Sequence, residues 1–226
     1  MPPLGEGPLS RVTGVVHWFL VVEVMLVLTT APGLVVALLL APVASNLPLY
    51  ALCAVPVGPA VAAALHAWRG FLADPDDEPS RRFLRGYRLD VLDALRAWVP
   101  ALVVLTALGV SVANRESVPG GGALLVAQLL VGAAVTLWAV RMLSITATFT
   151  FRWRDAARLS VLTLGTRPRA TLSLLSLLVL TGGITYVTFD AVVVLLASVL
   201  TFLLARGEAP VVQQVRDEFV EQTAAS

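Results

Sequence analysis

The sequence predicts an all-α, polytopic membrane helix bundle, and three observations lead to this fold class. Of the 226 residues, 58% are hydrophobic and only 14% are charged, and the mean hydropathy is +0.84. Soluble domains carry about 25% charged residues, so this chain has roughly half the charge that a soluble surface needs. The apolar residues also lie in long runs, as transmembrane helices require. We therefore expect a single membrane-embedded domain over residues 1–226.

Six apolar segments are the predicted transmembrane helices. The last two come from one apolar run, residues 170–205. As a single helix this run would measure about 54 Å, whereas the hydrocarbon core of a bilayer is about 30 Å thick. A turn near Gly182–Gly183 or Phe189–Asp190 divides it into two short spans, although a five-span alternative stays open. The predicted spans are about residues 14–41, 47–68, 97–113, 123–143, 170–186 and 188–205.

The basic residues predict the orientation. All 16 are arginines, since the chain contains no lysine. With a cytoplasmic N-terminus, six spans place 15 arginines in cytoplasmic segments and leave only Arg115 outside. The positive-inside rule requires this kind of asymmetry, and a five-span chain would give a weaker split of 13 to 3. We therefore predict a multi-pass plasma-membrane protein whose N-terminus and C-terminus are both cytoplasmic.

Two predicted cytoplasmic loops, residues 70–96 and 144–169, each contain an amphipathic helix pattern. The pattern Arg-Leu-x-Val-Leu occurs in both, at residues 88–92 and 158–162, which suggests a degenerate two-hairpin repeat. Two interpretations stay open, namely contact with anionic inner-leaflet lipids and docking of a partner protein. The arginines expected to make these contacts are Arg81, Arg82, Arg85, Arg88, Arg152, Arg154 and Arg158.

Several classes of function lack the residues that they need. The absence of lysine excludes Schiff-base chemistry and a Walker-type phosphate site. A lone Cys53 and two histidines give no metal-ligand pattern, and a net charge of +1 argues against nucleic-acid binding. We also find no Ser-His-Asp set and no paired carboxylates in a defined cleft. The sequence therefore predicts no catalytic residues, no metal and no cofactor.

A few residues within the spans are candidate functional residues. Glu23 falls well inside the first span, where an ionisable group is costly and marks a site by default. Its expected partner is either Arg141 of the fourth span or the polar groups of another helix. Pro56 and Pro59 interrupt the second span and free backbone carbonyls, which can build a transporter site or can simply kink the helix.

The second span and the segment after it resemble a known family. The residues are Ser45-Asn46-Leu47-Pro48-Leu49-Tyr50-Ala51-Leu52, then Val55 to Leu65 with Pro59-Ala60-Val61-Ala62-Ala63, then Trp68-Arg69 and Phe83 to Arg88. This arrangement resembles the YesL-like family of bacterial integral membrane proteins. The first span departs from the family, because Val22-Glu23-Val24-Met25-Leu26 stands where other members have an Asn-Leu-Leu-Trp-like segment.

The resemblance implies a protein of the bacterial plasma membrane with an accessory role in carbohydrate uptake. Our leading hypothesis is accordingly a non-enzymatic accessory or scaffold protein whose partner is a sugar ABC permease. The alternative is an autonomous small-solute transporter or channel that uses Glu23 and the proline-broken helices. A second copy of the chain is a further candidate partner, because the tail from Val211 to Val220 has an amphipathic pattern.

Overall fold

A computed structural model describes residues 8–74, 77–114, 121–148, 153–187 and 190–224, with side chains over 12–74, 77–114, 122–148, 153–187 and 192–213. Within these ranges the regular structure is helical, and no strand is found. The helices are α1 (Pro8–Leu39), α2 (Leu47–Cys53), α3 (Val57–Ala73), α4 (Pro79–Ala113), α5 (Gly121–Thr146), α6 (Trp153–Thr166), α7 (Pro168–Val187), α8 (Asp190–Leu195) and α9 (Ala197–Ala224), with a 3-10 turn over Ala44–Asn46.

Five helical segments of the described chain are long and apolar enough to cross a membrane. This confirms the predicted class, an all-α polytopic membrane bundle. The second of the five joins the 3-10 turn, α2 and α3, which are separated only by a three-residue turn that ends at Pro56. The five segments are Val12–Leu39, Ala44–Ala73, Pro79–Ala113, Gly122–Thr146 and Pro168–Val187.

The sixth predicted span, residues 188–205, is not among these five. Its described part is divided at Leu196 between α8 and α9, and α9 then continues into a charged segment that contains Arg206 and Glu208. Neither piece alone offers a long apolar stretch. Even so, α9 runs back along α7, since Gly207 lies beside Ser173 near the start of α7, while Ala197 and Thr181 line the same cavity.

The first predicted cytoplasmic loop, residues 70–96, is mostly helix in the structure. Helix α3 continues to Ala73 and α4 begins at Pro79, so a short connection replaces the loop. The predicted amphipathic helix and the third span, 97–113, form one helix of 35 residues. The reason is local, because no glycine or proline lies between Arg88 and Ala97 and a change from polar to apolar residues does not by itself end a helix.

Helix α3 lies at the centre of the bundle and packs closely on α4. Its small residues allow the two backbones to approach, as is common between helices in membranes. A Cβ atom at Gly58 would lie 2.5 Å from Trp98, and one at Gly86 of α4 would lie 2.7 Å from His66. The alanines of α3 that are fully buried are Ala60, Ala62, Ala63, Ala64 and Ala67.

An aromatic cluster connects α1, α3 and α9 near one end of the bundle. Trp68 is fully buried, and its ring lies 4.6 Å from Phe19 and 5.0 Å from Phe202, centroid to centroid. The indole Nε1 of Trp68 donates a hydrogen bond to Thr201 Oγ1 at 3.1 Å. We call this end, where α3 and α5 finish and where α4, α6 and α7 begin, the charged end of the bundle.

Candidate functional site

Glu23 contacts the start of α9. Its Oε2 accepts a hydrogen bond of 2.7 Å from the backbone N–H of Ser198, in the first turn of α9. Such N–H groups have no partner within their own helix, and a carboxylate is favourable beside them because of the helix dipole. The sequence left two possible partners for Glu23, namely Arg141 and the polar groups of another helix. The structure shows the second, a backbone N–H of α9. The second oxygen, Oε1, is buried without a hydrogen bond.

Arg141 pairs with Glu208 of α9. The Arg141 Nε lies 2.9 Å from Glu208 Oε2, and the two side chains are 0% and 1% exposed. The terminal guanidinium nitrogens lie 3.5 Å from the Thr163 carbonyl oxygen and 3.5 Å from Thr171 Oγ1. Because these partners belong to α6, α7 and α9, one side chain of α5 contacts three other helices. The alternative that paired Arg141 with Glu23 is wrong.

Arg69 extends this arrangement to α3. Its Nη2 donates to the carbonyl oxygen of Ser144 at 2.9 Å and to Ser144 Oγ at 2.7 Å. Burial raises the pKa of the Glu208 carboxyl to about 7, and the positive charges of Arg141 and Arg69 together with the Ser144 hydroxyl oppose that rise. We call the four residues Arg69, Arg141, Ser144 and Glu208 the polar layer. It connects α3, α5 and α9 at the charged end.

The two prolines of the second span have structural positions. Pro56 lies in the turn between α2 and α3, where the Ala54 carbonyl oxygen accepts hydrogen bonds from the Val57 N–H at 3.1 Å and from Trp98 Nε1 at 2.9 Å. Pro59 lies in the first turn of α3, where its missing N–H would have no helical partner in any case. In the described part of the chain, the backbone groups at this helix break therefore form hydrogen bonds with other groups of the protein.

The arginines predicted on the first loop divide into two groups. Arg82 packs over Gly70 of α3 and forms an ion pair with Asp77. The backbone N–H of Glu78 and the Arg82 guanidinium together lower the pKa of Asp77. In contrast, Arg81, Arg85 and Arg88 are exposed and line an open groove of about 520 Å³ on α4.

The second predicted loop contains α6, whose exposed face is both basic and apolar. Arg154 and Arg158 are exposed, and the Arg154 guanidinium lies 5.7 Å from the centre of the Trp153 ring. Val161 and Leu162 are 60% and 61% exposed and line an open groove of about 570 Å³. Arg152, the third arginine predicted here, lies outside the described residues.

Arg69 and Glu208 are the functional candidates that the sequence did not indicate. Each lies just beyond or at the end of an apolar segment, where an ionisable residue is ordinarily solvated. Only the packing of α9 against α3 and α5 buries Glu208 and half-buries Arg69. One signal in the sequence could have indicated Glu208. It is close to Arg206, but it shares a helix face with the apolar residues Ala205 and Val211.

No protein-family model, curated protein or solved structure matches the chain. Within the described residues, no three histidine, cysteine, aspartate or glutamate side chains lie close enough to hold a metal ion. The candidate site therefore consists of the polar layer, Glu23 and the exposed faces of α4 and α6.

Proposed function

We propose that the protein is a non-enzymatic accessory or scaffold protein of a bacterial plasma membrane, and that a second membrane protein docks on α6. The observation that carries this proposal is the exposed face of α6, where Trp153, Val161 and Leu162 lie beside Arg154 and Arg158. Tryptophan and arginine are enriched at protein interfaces, and apolar side chains beside them supply buried area.

The interior supports a scaffold rather than an enzyme. Arg141 and Arg69 bind Glu208 and Ser144, so these polar groups hold helices together. A cavity of about 290 Å³ between α3, α5, α7, α8 and α9 is lined, among the described residues, by apolar side chains and three threonines and by no charged residue. Such a lining offers little to a polar substrate, because specific sites need a few placed polar groups.

The partner and the orientation come from the sequence. The resemblance to the YesL-like family favours a sugar ABC permease as the protein that docks on α6. The arginine asymmetry favours a charged end that faces the cytoplasm, where the cytoplasmic parts of such a permease would meet it.

Site-specific photocrosslinking in native membranes tests the proposal. A photoreactive amino acid at Leu162 should form an adduct with a permease subunit, identified by mass spectrometry, and more of it after sugar induction. The matched control is Leu129 on α5, which is also 61% exposed but lies outside the α6 face. Adducts with the same proteins from both positions, or with lipid alone from Leu162, would refute docking on α6.

A small-solute transporter or channel is the second candidate function, and Glu23 favours it. A buried carboxylate oxygen without a partner, next to the start of a broken helix, resembles the discontinuous-helix sites of transporters. Liposomes that contain the protein alone should then show solute or proton flux, and Glu23→Gln should abolish it. Flux that persists in this variant would remove Glu23 from the mechanism.

A further inference from the structure

One face of α4 changes from basic to apolar along its length. At 100° per residue, six positions fall within about 60° of one another around the helix axis. Within these six positions the arginines come first and the apolar residues follow, and Arg96, which pairs with Asp93, lies beside them between Leu92 and Val99. We call this face the α4 stripe, and it consists of Arg81, Arg85, Arg88, Leu92, Val99 and Val103.

The basic part of the stripe has charge that the protein does not neutralise. Among the described side chains, Arg85 and Arg88 form no ion pair, while Arg81 lies 3.6 Å from a largely exposed Glu78. The neighbouring Arg96 does have a partner, since its Nη1 lies 2.7 Å from Asp93 Oδ1. Two guanidinium groups in an open groove with Leu84 and Leu89 are therefore available to an anion.

The apolar part of the stripe is exposed and leads into a second groove. Leu92 and Val103 are both 64% exposed. Val99 and Val103 line an apolar groove of about 450 Å³ together with Leu52 and Val55. From Arg88 to Val99 the helix rises about 16 Å, which matches the depth of one leaflet, half of the ~30 Å hydrocarbon core.

The packing of α1 indicates how far the apolar outer surface of the bundle extends along α4. Trp18 contacts Phe71 with ring centres 5.0 Å apart, and Gly70, next to Phe71, packs against Arg82. The valines that precede Trp18 along α1 are exposed. The apolar outer surface of α1 thus extends to the level of Arg82, so the arginines of the stripe lie where headgroups would meet them.

We propose that the α4 stripe is a binding site for an anionic phospholipid. Arg85 and Arg88 bind the headgroup phosphate, and an acyl chain lies along Leu92 into the groove at Val99 and Val103. Along this single exposed face a charged part is followed by an apolar part. This order matches a phospholipid headgroup followed by its acyl chain, and the length of the apolar part matches that of the acyl chain. The face therefore fits a phospholipid better than a protein segment. This inference is independent of the docking proposed for α6.

Lipid retention measured by native mass spectrometry tests the site. The purified protein is exchanged from detergent into phosphatidylglycerol or phosphatidylcholine micelles of the same chain length, and bound lipid is counted for each variant. At about fivefold per arginine near a charged surface, Arg85→Gln with Arg88→Gln should weaken phosphatidylglycerol binding about 25-fold. The matched control is Arg167→Gln with Arg169→Gln at the start of α7, two arginines that are also exposed and lie outside both the α4 stripe and the α6 face, and this variant should retain the lipid like the wild type.

A second variant separates the two parts of the site. Val103→Asn should weaken retention of the intact lipid while leaving the binding of glycerophosphoglycerol, the headgroup without acyl chains, unchanged. Equal retention by the wild type and the Arg85/Arg88 variant would overturn the proposal, as would an equal loss in the Arg167/Arg169 control. Retention that is insensitive to Val103→Asn would overturn the acyl-chain half of it.

Discussion

Arginines at the charged end of the bundle differ in what surrounds them, although the sequence uses the same residue throughout. Arg141 is fully buried and pairs with Glu208, whereas Arg85 and Arg88 are exposed without an ion pair in the described chain. A buried charge must have a partner, because its desolvation is costly, while an exposed one is hydrated. The comparison indicates that the buried charges position helices, whereas the exposed ones remain in contact with the surroundings of the protein.

Breaking the buried pair should have the largest effect. Arg141→Met leaves the Glu208 carboxylate buried without its cation, and the free energy of unfolding should fall by about 3–5 kcal/mol. The double variant Arg141→Met with Glu208→Leu should recover most of this loss, because no unpaired charge remains. Unfolding by SDS in mixed micelles measures both. A double variant no more stable than the single one would show that the loss is due to packing.

Removing the internal carboxylate of α1 should have an intermediate effect. Glu23→Leu deprives the Ser198 N–H of its acceptor and should destabilise the protein by about 2 kcal/mol. Glu23→Gln keeps an oxygen acceptor and should cost about half as much. The same unfolding titration distinguishes them. Identical losses for both variants would mean that the negative charge, and not the hydrogen bond, is what α9 requires.

A smaller effect is expected within the polar layer itself. Ser144→Ala removes the hydroxyl that accepts from Arg69, but the Ser144 carbonyl oxygen still accepts a second bond. The free energy of unfolding should therefore fall by only about 1 kcal/mol. Thr136→Ala is the control, because its hydroxyl donates to the Gly132 carbonyl oxygen of the same helix, α5, and not to the acceptors of Arg69. A loss of 3 kcal/mol or more in Ser144→Ala would place Arg69 among the residues that are essential for packing.

The exposed arginines should contribute least to stability. Arg85→Gln with Arg88→Gln should change the free energy of unfolding by under about 0.5 kcal/mol, since surface charges without close partners stabilise little. The measurement is made in uncharged detergent, so that bound lipid does not contribute. Destabilisation comparable to that of Arg141→Met would remove the distinction between buried and exposed arginines.

The two Arg-Leu-x-Val-Leu motifs show how far the sequence repeat extends into the structure. Arg88 and Arg158 are both exposed, and so are Leu92 and Leu162. Their surroundings differ, since residues 88–92 lie within a 35-residue helix that also forms a span, whereas α6 is a separate helix of 14 residues. Position on the helix face follows local periodicity, but the length of the helix depends on what precedes and follows the motif.

The sequence predicted the positions of most spans but not all helix boundaries. Runs such as 14–41 and 123–143 are unmistakable, because hydrophobicity over about 20 residues is a strong signal. The division at Leu196 was not predicted, since nothing in Val192–Leu200 distinguishes a break from a continuous helix. It is stabilised from outside, by the Glu23 carboxylate at Ser198, and a contact between residues 175 positions apart leaves no local pattern.

The sequence by itself determined the membrane class, the order of the apolar helices and the concentration of arginines at one end, because composition and periodicity are local properties. The tertiary structure decided which charges meet. Glu208 pairs with Arg141 and not with the adjacent Arg206, and Glu23 contacts a backbone N–H instead of an arginine. Burial creates these choices, since a charge removed from water must find its partner on whichever helix packs against it.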